Sequence, residues 1–307
     1  MIKYILIIFF SFISLQCLAE YKGLKKLSKN NSFMDNKGNP YSIEKITDKE
    51  NTLLLIWNHG SYPDTKIDKC KKKPKFGYEW EGAVVPAVLK LHNKKIKNLT
   101  IKIYRLCSGV KGMSANEQRK IGKLIKNGQK IDTYSEIKQQ KRQNIILQKA
   151  DEFLSDGFKN IVLVGYSAGG WASLNLISRF PEKFRGAIAL NPAFAGPIIE
   201  WQKDLPEWGF FRDQQIDIFK QTDSLSAILF AHNNDEFENS NTLSFFKSFK
   251  DLKFIDYSQL KPTNCDWADI DKKMSETNGH SIPQSTCFTH FIEKNNYFIK
   301  YLDSIFN

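Results

Sequence analysis

Beyond residues 1–19 the sequence has no apolar run long enough to cross a bilayer, which excludes a multi-span membrane protein. No Cys-x-x-Cys pair occurs, and the cysteine positions make no metal-ligand pattern. Zinc-finger spacing and the aromatic signature of RNA-binding sheets are also missing, so nucleic acid is not an expected partner. No internal repeat or low-complexity tract appears. These absences leave a chain of 307 residues that is long enough for one large domain around a single core.

What is present begins with a leader. Lys3 precedes the apolar stretch Ile5 to Leu15, and small residues follow at Cys17 and Ala19. That order reads as a secretory signal cut after Ala19 and predicts a secreted or periplasmic protein of residues 20–307. The alternatives are an uncleaved N-terminal anchor and a lipid attached at Cys17, for which Gln16 is a bulky neighbour. The formal net charge is +12, mostly from lysine, and it is densest from Asp68 to Lys75. The excess reads as a solvated basic surface, with weak attraction to anionic surfaces as the alternative. Cys70, Cys107, Cys265 and Cys287 remain after the leader. An even number in an exported chain predicts two disulfides. Cys70–Cys107 and Cys265–Cys287 is the pairing that joins sequence neighbours.

Downstream, short apolar runs alternate with longer amphipathic stretches. Strands are expected in the apolar run from Asn51 that ends in His59-Gly60, and at Leu99 to Ser108, Asn160 to Gly165, Ala187 to Leu190, Ala227 to Ala231 and Leu252 to Tyr257, the first and third of them buried. Short strands flank a turn in the segment Met34 to Ile43. Helices are expected at Glu81 to Asn93, at Asp132 to Phe158, after Ser167 as far as Pro181, and as one terminal helix from Phe291 to Phe306. Such alternation predicts an α/β fold, a mostly parallel sheet covered on both faces. The aromatic-rich segment 192–224 breaks the rhythm and is expected to form a small cap over the strand ends.

Ligands of such a sheet bind beyond the carboxyl ends of its strands. Ser167 stands there, between a strand and a helix, in Gly165-Tyr166-Ser167-Ala168-Gly169. Gly165 and Gly169 remove side chains that would collide at so sharp a turn. A serine hydroxyl needs a base, and histidine is the usual one. His280, beside Gly279 in a loop after the last strand, is the expected base, with His290 as the alternative. Asp235, just past a strand end, is the expected acid that orients it, with Glu236 in reserve. His59 is expected to shape the turn after the first buried strand. The N–H groups of Ala168 and Ser61 are the expected oxyanion donors, with Tyr62 as the alternative to Ser61. Tyr62, Tyr166, Trp201 and Trp208 are candidate substrate contacts, and Phe210 and Phe211 are candidate pocket walls.

The His59-Gly60 turn, the Gly165 to Gly170 elbow, Asn233 to Phe237 after a late strand, and Gly279-His280 before the terminal helix come in one order. In that order they resemble the α/β-hydrolase superfamily, most closely the dienelactone-hydrolase-like and prolyl-oligopeptidase-like esterases. The resemblance implies a mostly parallel sheet of eight strands and acyl transfer through a serine acyl-enzyme. It implies neither metal nor cofactor, and a small acyl-ester substrate. The turn His59-Gly60-Ser61 is not the glycine-rich version of lipase-like esterases, and the loop between Tyr257 and His280 is long for the family.

Overall fold

The computed structural model describes residues 31–60, 84–107, 138–203, 206–261 and 279–307, together with Lys120, Lys123 and Asn127. Among them is a nine-stranded sheet. Its strands are β1 (Ser32–Met34), β2 (Pro40–Tyr41), β3 (Thr52–Asn58), β4 (Lys95–Ile96), β5 (Leu99–Leu106), β6 (Asn160–Tyr166), β7 (Gly186–Leu190), β8 (Ser224–Ala231) and β9 (Lys250–Asp256). They lie in the order β2-β1-β5-β3-β6-β7-β8-β9, with β4 paired to β5. From β5 to β9 every neighbouring pair is parallel, while the β1–β2 hairpin joins the edge antiparallel. The expected α/β architecture is therefore present.

The strand at the centre shows why. Every residue of β3 is buried, and successive side chains point to opposite faces. Leu54 and Ile56 join one core with Leu163, Ala189 and Trp171. Leu53, Leu55 and Trp57 join the other with Val162, Ile188 and Phe288. A strand with no polar face is stable only when helices cover both sides. On the Trp171 face lie α2 (Lys138–Ser155), α3 (Ala168–Arg179) and α5 (Pro206–Phe219). On the other face lie α1 (Pro86–Leu89), α6 (Thr286–Asn295) and α7 (Tyr297–Ser304). A short helix α4 (Ile198–Lys203) precedes α5.

Two helical expectations are corrected. Pro86 does not lie inside a helix; it starts one, at the position where its missing N–H leaves nothing unpaired. The terminal helix is two helices, because Asn296 takes the left-handed conformation (φ 53°), ending α6 and starting α7. Between α2 and β6, Gly157 closes the connection at φ 100°.

The segment after β7 is fastened by charge as well as by apolar contact. Phe211 and Phe219 are buried in the core, so Phe211 is packing rather than an open pocket wall. Phe210 is exposed and Trp208 half-buried. Arg212 on α5 grips Glu238 with two hydrogen bonds, Nε to Oε1 at 2.5 Å and Nη2 to Oε2 at 2.9 Å, and also donates to the Thr242 carbonyl. Its guanidinium lies over Trp171, 5.6 Å from the ring centroid. Both partners are buried, so their value depends on both being present. Arg212→Met strands the Glu238 carboxyl. Urea unfolding should then show a loss of roughly 3–5 kcal/mol, and Arg212→Met with Glu238→Leu should recover most of it.

Candidate active site

The site begins at the end of β6. Ser167 has φ 55° and ψ −126°, outside the ordinary regions for a residue with a side chain. Such a conformation costs about 1–3 kcal/mol and persists only when its surroundings impose it. They do so here. The Ser167 N–H donates to the Leu190 carbonyl (2.9 Å), and its own carbonyl accepts from Trp171 and Ala193 (3.0 and 3.1 Å). A Cβ on Gly169 would lie 2.0 Å from the Asn58 carbonyl oxygen, and one on Gly165 would lie 2.3 Å from the Gly169 backbone. The first turn of α3 thus sits directly against the end of β3. Ala168 opens that helix, where N–H groups have no intrahelical partner and the dipole is positive.

The turn after β3 closes on the same point. A Cβ at Gly60 would stand 3.2 Å from the Ser167 Cβ. His59 is buried and its Nδ1 lies 2.6 Å from the Gly60 carbonyl oxygen, the turn-shaping role expected of it. The brace comes from α2. Arg142 donates to the His59 and Gly60 carbonyls (2.6 and 3.3 Å), and Gln139 donates to those of Ala168 and Ala193 (3.0 and 3.4 Å). Sequence reading missed both residues, though a signal existed. Gln139, Arg142 and Gln143 occupy the same helical stripe as Ile146, Ala150 and Phe153, and all are buried. Polar groups continue an apolar stripe where the helix meets the carboxyl edge of the sheet.

Asp235 and His280 meet at that edge. Asp235 Oδ2 and His280 Nδ1 are 2.7 Å apart, and both side chains are buried. The other oxygen of Asp235 accepts from the Phe237 and Glu238 N–H groups (2.8 and 3.4 Å), so the carboxylate is held from both sides. His280 lies against Tyr166, the neighbour of Ser167, with ring centroids 5.1 Å apart, and against Phe237 at 4.3 Å. The Tyr166 hydroxyl donates to the His280 carbonyl (3.0 Å), and burial pushes its pKa well above the usual phenol value.

The rival residues stand elsewhere. His290 is exposed on α6, and Glu236 is exposed, with its carbonyl taken by the Ile198 N–H. Ser61, Tyr62, Cys70 and Cys265 lie outside the described residues, as does the side chain of Trp201. No group of His, Cys, Asp and Glu able to hold a metal occurs among the described residues. No helix among them is long and apolar enough to cross a membrane.

His232 ties the loops of Asp235 and His280 together. Its Nδ1 accepts from the Asn234 N–H (3.0 Å), so Nε2 carries the proton that goes to the Leu260 carbonyl (3.0 Å). Asn234 in turn accepts from the Gly279 N–H (2.9 Å), and Gly279 is pressed so close that a Cβ would sit 2.2 Å from His232 Nδ1. Burial lowers the His232 pKa, and a second ring proton would face the Asn234 N–H. Because the folded pKa is the lower, the contribution is full above about 6.5 and is lost as pH falls through the folded value. Unfolding free energies measured across that range should therefore fall less steeply with acid in His232→Gln than in the wild type. Equal slopes would contradict this.

No protein-family model matches the chain, and no curated protein matches it. Solved structures similar to it, all of low identity, include esterases and a peptidase, oligopeptidase B from Trypanosoma brucei, which is 14% identical over 87% of this chain and 37% of its own, with a TM-score of 0.43. Est1E from Butyrivibrio proteoclasticus is 14% identical over 84% of this chain and 91% of its own, with a TM-score of 0.48. A phospholipase/carboxylesterase from Dyadobacter fermentans is 10% identical over 68% and 81%, with a TM-score of 0.36. Naproxen esterase from Bacillus subtilis is 11% identical over 81% and 84%, with a TM-score of 0.39.

Proposed function

We propose that the protein is an exported serine hydrolase of the α/β-hydrolase type that cleaves a carboxylic ester through an acyl-enzyme. The observation that carries this reading is the buried 2.7 Å contact between His280 and Asp235, with the His280 ring packed on Tyr166, the chain neighbour of a serine held at φ 55° on a strand–helix elbow.

In this reading the Ser167 oxygen attacks the ester carbonyl while His280 Nε2 takes its proton. Asp235 holds the proton on Nδ1, which leaves Nε2 as the base, and it stabilises the imidazolium that forms. The tetrahedral oxyanion is met by the Ala168 N–H at the helix start and by the Ser61 N–H from the turn that Gly60 leads into. The imidazolium then protonates the leaving alcohol. Water, activated by the same histidine, attacks the acyl-enzyme and frees Ser167. No step needs a metal or cofactor. The segment 192–224, with Trp201 and Trp208, together with Tyr62 and Tyr166, would shape the substrate pocket. The Ile198 N–H, bonded to the Glu236 carbonyl at 2.8 Å, ties that segment to the loop of Asp235.

The test is turnover of p-nitrophenyl acetate against an aminoacyl p-nitroanilide. The ester should be the faster substrate, Ser167→Ala should abolish its turnover, and Asp235→Asn should lower kcat by about 10⁴. Faster cleavage of the amide would replace the esterase by a peptidase. Unchanged rates in Ser167→Ala would remove the acyl-enzyme altogether.

Export joins the proposal through the cysteines. We assign pairs Cys70–Cys107 and Cys265–Cys287, and it supports this that neither Cys107 nor Cys287 is free. The second pair would tether the loop that carries His280, a closure worth about 3 kcal/mol. Peptide mapping of the secreted protein without reductant should find both linkages. Free thiols at Cys265 and Cys287 would contradict the tether.

A further inference from the structure

We propose that Asn191 and Tyr257 are positioning residues for His280, gripping its main chain so that the ring stands between Asp235 and Ser167. The inference rests on the serine-hydrolase reading and extends it to side chains that take no part in the proton transfers.

Asn191 follows the last residue of β7 and is wholly buried, with a left-handed φ of 42°. Its side-chain nitrogen donates to the Gly279 and His280 carbonyls, both at 3.0 Å. Its side-chain oxygen accepts from the Tyr257 hydroxyl at 2.7 Å. Tyr257 follows the last residue of β9 and is also wholly buried. The two carbonyls, which can only accept, decide which way the amide points, and the Tyr257 hydroxyl then donates to its oxygen. A flipped amide would set its oxygen against two carbonyls and its nitrogen against a hydroxyl donor. Tyr166, at the end of β6, adds a second donor to the His280 carbonyl (3.0 Å).

Side chains from the ends of three strands thus converge on one two-residue segment. Each is a polar group whose burial is costly unless satisfied; Asn191 and Tyr166 find their partners there, and Tyr257 acts on the segment through Asn191. On the other side, Gly279 abuts His232, so the segment has no room to retreat. A plain anchor would need one such bond. This arrangement fixes the His280 carbonyl from two directions while Asp235 fixes the ring at Nδ1. Displacement of a reacting group by about 1 Å costs on the order of 10²-fold in rate.

Tyr257→Phe removes one oxygen from a packed site, and Asn191→Ala removes both donors. Each should lower kcat for p-nitrophenyl acetate, roughly 10-fold or more for Tyr257→Phe and towards 100-fold for Asn191→Ala, with KM little changed. The far-downfield proton resonance of His280 Nδ1–H should broaden or vanish in both variants. A purely structural role would lower the thermal midpoint without moving that resonance. If Asn191→Ala does not fold, Tyr257→Phe decides. The inference is overturned if kcat stays within about twofold, or if the resonance persists unchanged. If Ser167→Ala abolishes turnover while Tyr257→Phe leaves it intact, the positioning role alone fails. If the wild type turns over no ester, the hydrolase reading fails, and the inference with it.

Discussion

The closeness of α3 to the end of β3 is the constraint on which the site depends. With a Cβ at Gly169 only 2.0 Å from the Asn58 carbonyl oxygen, no other residue fits there unless the helix moves away from the sheet. That contact drives β6 into a turn too sharp for an ordinary φ and leaves Ser167 at 55°. It also brings the His59-Gly60 turn to the serine, since that turn continues the strand against which the helix is pressed. The strain at Ser167 is held by hydrogen bonds from β7 and from the chain after it, so neighbouring strands share the load.

Beyond the apolar layers, the carboxyl edge of the sheet is tied down by buried polar groups. Arg142 and Gln139 hold the turn and the elbow from α2. Arg212 and Glu238 fasten α5 to the loop that carries Asp235. Asn191, Tyr257 and Tyr166 hold the segment of His280. Apolar packing tolerates small shifts, whereas a satisfied buried hydrogen bond admits one geometry within a few tenths of an ångström. Loops at a reacting edge need that second kind of restraint, because none of them has a strand partner to set its register.

Much of this was legible in the residues themselves. Strands β3, β6, β7 and β8 announce themselves as apolar runs, since parallel strands buried on two faces cannot afford alternation, whereas the two-residue β4 gives no such signal. The pairing of His280 with Asp235 follows from where the two stand in the alternation of strands and helices. What could not be read depends on distant partners. One polar residue decided the break at Asn296 against a strong amphipathic pattern. Pro86 marked a helix start, yet its neighbours also suit a helix interior. Arg142, Arg212, Asn191 and Tyr257 carry no local signature, because the carbonyls and carboxylate they bind lie dozens of residues away. Only the polar start of the stripe on α2 hinted at such a role.

The central claim is that Ser167 is a nucleophile activated by His280 and Asp235. It is tested most directly by exposing the intact protein to a fluorophosphonate and locating the adduct by peptide mass. The account predicts a single adduct on the peptide containing Ser167, formed far more slowly when His280 is replaced by alanine. No adduct, or one on another residue, would contradict it.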